Sequence, residues 1–159
     1  MKLYLKQRIF SWSERFTVKD FNGNDKYYIQ GELLSWGRKL HIFDNNDNEV
    51  AAIRQKAISI LPRFEVYIDD RYRFEVNKKF SLLRPEFNMV GLDWSIKGEL
   101  FSHEYKIVGG YGIVATVSKV FLSMGDSYSI DIKSQDNEVQ VLAAVLAINC
   151  ALASGGLAI

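Results

Sequence analysis

The sequence predicts a mainly β fold, a closed antiparallel barrel of about twelve strands that encloses a C-terminal hydrophobic helix. Three observations carry that expectation: a motif that recurs six times, turn-forming residues between alternating apolar segments, and a final stretch that is apolar on every helical face. The motif is a short apolar stretch running into a serine, followed within a few residues by a segment with an aromatic or aliphatic residue at every second position. Its serines are Ser11, Ser35, Ser59, Ser81, Ser102 and Ser123, spaced 24, 24, 22, 21 and 21 residues apart. Alternation of period two marks strands with one buried face, and a repeat of this length marks one hairpin used again and again.

Along the chain, Ile9-Phe10-Ser11 leads to Phe16-x-Val18, Leu33-Leu34-Ser35 to Leu40-x-Ile42, and Ala57-Ile58-Ser59 to Phe64-x-Val66-x-Ile68. Phe80-Ser81 leads to Phe87-x-Met89, Leu100-Phe101-Ser102 to Tyr105-x-Ile107, and Phe121-Leu122-Ser123 to Tyr128-x-Ile130-x-Ile132. Turns fall between these segments. Asn22-Gly23-Asn24-Asp25 and Asn45-Asn46-Asp47-Asn48 supply side chains that tolerate the positive φ of a tight turn. Asp69-Asp70 and Gly109-Gly110-Tyr111-Gly112 break the chain in the same way. The two prolines, Pro62 and Pro85, each stand just before a strand, where a missing N–H does least harm. Hairpin-linked strands form a meander, which hides its edges by stacking as two sheets or by closing.

The terminal segment favours closure. Ser134-Gln135-Asp136-Asn137-Glu138 carries capping side chains and acids suited to a helix N-terminus, and Val141 to Ile148 holds no polar side chain. A helix lying on a sheet keeps a polar stripe, so one without a stripe is enclosed by protein or by lipid. This stretch reaches the length of a membrane span only by counting Gln140, Asn149, Ser154 and two glycines. A twelve-strand barrel is wide enough to hold a helix. The reading is one domain over 1–159, with strands from about 2 to 132 and the helix from about 135 to 153.

Composition narrows the function classes. Twenty Lys and Arg against nineteen Asp and Glu give a net charge of +1, which is not the basic excess of a nucleic-acid binder. The lone Cys150 and an N-terminus interrupted by charge point to a cytoplasmic protein. His41, His103 and Cys150 are the side chains best suited to act as nucleophile or base, and each has a structural reading that suffices. Cys150 falls within the apolar helix, His41 faces outward on a strand, and His103 sits at a turn. Two histidines without an acid or cysteine at ligand spacing make no zinc site, and the glycines from 109 to 112 lack the Lys-Ser/Thr ending of a phosphate loop. No cofactor is implied.

Several stretches resemble the LURP-one-related family: Leu5 to Ser11, Arg38 to Asp44 followed by Glu49-Val50-Ala51, Gln55-Lys56 to Leu61-Pro62, Gly98 to Tyr105, Gly125 to Tyr128, and Val145 to Cys150. The resemblance covers nearly the whole chain and is similar in extent to short bacterial members made of this domain alone. It implies the tubby C-terminal fold, a twelve-strand barrel threaded by a hydrophobic helix and shared with phospholipid scramblases. By that resemblance the chain is a non-enzymatic binding or scaffold module. The alternative is a peripheral membrane protein that binds anionic phospholipid or phosphoinositide in the manner of scramblases and tubby proteins.

Two surfaces could serve the alternative. Arg71, Arg73, Lys78, Lys79 and Arg84 surround one expected hairpin and could face phosphates, although Asp69, Asp70 and Glu75 are interleaved as on an ordinary solvated face. Trp12, Trp36 and Trp94 fall near turns, where they plug the barrel ends or touch a bilayer interface.

Overall fold

The structure, a computed structural model, describes residues 1–6, 15–34, 37–122 and 125–155. Ser11, Ser35, Ser123, Trp12 and Trp36 lie outside the described residues. Twelve strands follow one another: β1 (Lys2–Lys6), β2 (Arg15–Lys19), β3 (Asp25–Leu34), β4 (Gly37–Phe43), β5 (Glu49–Gln55) and β6 (Arg63–Ile68). Then come β7 (Arg71–Lys79), β8 (Glu86–Val90), β9 (Ser95–Glu99), β10 (Glu104–Gly109), β11 (Gly112–Leu122) and β12 (Gly125–Ile132). A 3-10 turn (Gln135–Asn137) leads into α1 (Glu138–Gly155).

All ladders are antiparallel, and β1 pairs with β12, so the sheet curls on itself. The remaining ends of the sheet, β8 and β9, face each other across an unpaired seam, which leaves the barrel nearly closed. The seam has a local cause. Asp93 Oδ2 accepts the Gly110 N–H at 3.1 Å and the Trp94 ring lies against Gly109, so the β8–β9 turn is held to the β10–β11 hairpin. Gly98 brings β9 close to β10, because a Cβ there would stand 2.5 Å from the Glu104 carbonyl oxygen.

Alternation sends one side chain in two inward. Leu3 and Leu5, Ile29, Leu40 and Ile42, Phe64 and Val66, Phe74 and Val76, Ile107, Val117 and Ile130 are all buried and meet α1, whose residues from Val141 to Ile148 are wholly inaccessible. The helix is long and apolar enough to cross a membrane by length and composition, yet the barrel wraps it. Enclosure therefore satisfies the apolar surface that the sequence shows on every side.

Capping at the helix start differs from the sequence expectation. Ser134 makes no side-chain cap, and the chain takes a 3-10 turn instead. What fixes the helix start is Glu138, buried, whose Oε1 accepts from the Tyr27 hydroxyl at 2.8 Å and from Lys26 Nζ at 2.7 Å. Burial and this carboxylate push the Tyr27 phenol well above its ordinary value, so it stays a donor.

The meander gives the barrel two chemically distinct ends. Connections that follow even-numbered strands, with the Lys133–Asn137 link to the helix, lie at one end, which we call the aspartate end. Those that follow odd-numbered strands lie at the other, the serine end, and each recurrence of the sequence motif sits between an odd strand and the next even one. Since β12 ends at the aspartate end, α1 runs from there back toward the serine end.

Candidate functional site

The histidines and the cysteine are occupied structurally. His41 lies on the outer face between Glu32, at 2.9 Å from Nε2, and Glu49, at 3.2 Å from Nδ1. The His103 ring stacks on Tyr128 with centroids 4.4 Å apart and planes 3° from parallel. Burial, with Lys119 adding repulsion, lowers the His103 pKa and favours the neutral ring. On its other side Tyr128 accepts a bond from Asn149 Nδ2 at 2.6 Å, and burial raises its phenol well above the ordinary value. Cys150, next in the helix, is fully buried, and burial pushes its thiol far above the range in which a thiolate forms. An imidazole stacked on Tyr128 whose neutral form is favoured, and a thiol buried in the core, do not make an activated nucleophile. Among the described residues no cluster of His, Cys, Asp and Glu could hold a metal ion.

The basic residues of the β7 region divide between the two ends. Arg71 and Arg73 open β7 at the aspartate end, exposed beside Asp69 and Asp70. Lys78 and Lys79 close β7 at the serine end, Lys79 eight residues and roughly 26 Å along the strand from Arg71, and Arg84 follows in the next loop. Between the groups stands Glu75, almost buried on the outer face. Burial opposes its ionisation, but bonds from Lys56 at 3.3 Å and Arg63 at 2.7 Å prevail and hold its carboxyl below the ordinary value. Arg84 pairs loosely with Glu99 at 3.4 Å, and Lys78 and Lys79 form no ion pair among the described residues.

The connecting segments sort the charge more sharply than β7 does. At the aspartate end the connections carry Asp20, Asp44, Asp47, Asp69, Asp70, Asp93 and Asp136 against one base, Lys133. At the serine end the three described loops, 56–62, 80–85 and 100–103, carry Lys56 and Arg84 and no acid. The strand ends are mixed, with Glu86, Glu99 and Glu104 beside Lys78, Lys79 and Arg63 at the serine end. These loops also expose apolar side chains: Ile58, Ile60, Phe80, Leu82, Leu83 and Phe101. The aspartate-end connections expose two such residues, Phe21 and Tyr111.

The sequence expectation used the apolar residues before each serine only to mark the repeat and assigned them no surface. The signal was present, because a meander places every second connection at the same end and the serines recur once per two strands. Trp94, foreseen near a turn, is half-buried and packs against the core as a plug at the aspartate end. Along the seam runs a cleft of about 370 Å³ lined by Lys79, Arg84, Phe87, Met89, Trp94 and Ile96, among others.

Three comparisons bear on this architecture. The family described as LURP-one-related matches residues 1–149. The uncharacterized protein YxjI of Bacillus subtilis (strain 168) is 31% identical over 152 residues, which are 96% of this chain and 94% of that protein. The X-ray structure of a protein from Arabidopsis thaliana superposes with a TM-score of 0.62 at 13% identity, covering 94% of this chain and 90% of the other, a likeness of fold alone.

Proposed function

This chain belongs to the LURP-one-related family, with its tubby C-terminal-like fold, and from that premise we propose that it is a non-catalytic binding module that meets an anionic membrane surface with the serine end of its barrel. The observation that carries the reading is the separation of charge between the two sets of connections, acidic at one end and free of acid in the described loops at the other. A net charge of +1 conceals this polarity. An anionic surface attracts the end bearing Lys56, Lys78, Lys79 and Arg84 and repels the end bearing seven aspartates, so the field orients the barrel end-on. Arg71 and Arg73, beside Asp69 and Asp70 at the far end, stand outside the proposed contact.

Co-sedimentation with phosphatidylserine-containing and with neutral vesicles, at low and high salt, tests this. Replacing Lys78, Lys79 and Arg84 together by Gln weakens binding to the anionic vesicles by about 1 kcal/mol per charge, roughly fivefold for each. Replacing Arg71 and Arg73 by Gln leaves it unchanged. Binding that ignores lipid charge, or that responds equally to both sets, contradicts the proposal.

A further inference from the structure

Charge brings the serine end to the surface in the reading just given; the apolar side chains there have no part in that attraction. Ile58, Ile60, Leu82 and Leu83 are between 87% and 103% exposed, which means that they project from their loops and touch almost nothing. Phe80 and Phe101 are exposed beside them on the same loops. Single exposed apolar residues are ordinary on a soluble protein, but a set gathered on the connections of one barrel end marks a contact surface.

We infer that these loop tips insert into the interfacial layer of the bilayer, so that the 56–62, 80–85 and 100–103 loops seat the barrel upright with Lys78, Lys79 and Arg84 at phosphate level. The inference rests on the lipid reading and adds to it a depth, an orientation and a named set of inserting residues. Charge argues for this occupant over a second copy of the chain, because self-association through this end would bring Lys78 and Lys79, which form no ion pair among the described residues, toward the same pair of the other copy. Shape argues the same way. Tips on separate loops, each projecting alone, suit a fluid interface that fills in around every side chain, with cations placed just above to reach the headgroups.

The recurring serine finds a role here. Ser59 Oγ donates to the Leu61 carbonyl, Ser102 Oγ donates to the Glu99 carbonyl at 3.3 Å, and Ser81 Oγ accepts from the Arg84 N–H at 3.4 Å. Each hydroxyl thus occupies a backbone group in or next to its own loop, which lowers the cost of moving that loop into a poorer hydrogen-bonding medium. In the 56–62, 80–85 and 100–103 loops the motif that repeats in the sequence is in this view a unit of membrane contact.

The test places a nitroxide label at Leu82→Cys, at Ile58→Cys and, at the opposite end, at Phe21→Cys, with the native Cys150 shielded inside the barrel. Power saturation with dissolved oxygen and with a water-soluble nickel chelate is read with and without phosphatidylserine-containing vesicles. The inference expects labels 58 and 82 to gain oxygen and lose nickel accessibility on vesicles, while label 21 does not change. In parallel, Ile58→Ser with Ile60→Ser, and Leu82→Ser with Leu83→Ser, lower vesicle partitioning at high salt by about tenfold per residue, with unchanged circular dichroism. Vesicle binding with labels 58 and 82 still open to nickel overturns insertion and leaves the electrostatic reading standing. No vesicle binding by the parent overturns both. Labels that lose nickel accessibility without lipid, in step with protein concentration, show that a second copy covers the tips and also overturn the inference.

Discussion

Two ends of one barrel are built on different principles. Connections at the aspartate end between strands are two to five residues long and fold by their own chemistry. Asp20 Oδ1 accepts from the backbone N–H groups of Asn22 at 2.8 Å and Asn24 at 2.9 Å, and Asp44 does the same for Asn46 and Asn48. Positive φ falls on Gly23, Asp47, Asp69 and Asp70, the residue types that accept it most readily. The three described serine-end loops run from four to seven residues and direct Ile, Leu and Phe outward. One end is organised to close strands tightly, while the other carries exposed apolar area that folding leaves unused. The proposed membrane contact rests on that contrast.

The largest effect comes from what the two ends share. Val145 is wholly buried at the middle of α1, and Val145→Asp places a carboxylate where the barrel offers no partner. An expected loss of several kcal/mol approaches the whole stability of an average domain, so thermal melts followed by circular dichroism show no cooperative transition near that of the parent. A melt within a few degrees of the parent would mean that the helix is not enclosed and that the two ends do not rest on one core.

A smaller pair of substitutions separates turn from tip. Asp44→Ala removes the acceptor that orders its turn, and the melting temperature falls on the order of 2–4 °C while binding to anionic vesicles is unchanged. Leu82→Ser with Leu83→Ser does the reverse, lowering vesicle binding at constant melting temperature. Should either variant change both quantities, the division of labour between the ends would fail.

Acid acts on the ends in sequence and with the smallest amplitude. His103, near the serine end, has a lowered pKa, so the folded state disfavours its proton; the stability it contributes is present above the ordinary value of 6.5 and declines as pH falls below it. At the aspartate end, backbone hydrogen bonds from Asn24 and Asn48 lead in lowering the Asp20 and Asp44 carboxyls, whose contribution is kept above the ordinary value of 3.8 and lost below it. Urea melts across pH 4 to 7 show a shallow decline that His103→Gln removes, followed by a second decline in more acid solution that this substitution leaves in place.

Much of this fold is legible in the sequence because local signals agree with the global pattern. Alternation gave the inward residues of the strands, Asp69-Asp70 and Gly109 to Gly112 marked true hairpins, and the helix without a polar stripe required enclosure. Where the account needed tertiary contacts, the sequence offered less. The seam between β8 and β9 depends on Asp93 reaching the Gly110 N–H across seventeen residues, and the helix start depends on Glu138 meeting Tyr27 across 111. The cationic residues were visible as a group around one hairpin, yet strand length decides which of them can act together. Only by following chain direction strand by strand does the distance between Arg71 and Lys79, or the shared end of the serines, become apparent.

Hydrogen exchange of the intact chain, with and without phosphatidylserine-containing vesicles, tests the central claim most directly. The account predicts slowed exchange on vesicles in segments 56–62, 80–85 and 100–103, with no change in the turns at 20–24, 44–48 and 69–70. Protection of the aspartate-end turns, or equal protection at both ends, would contradict it.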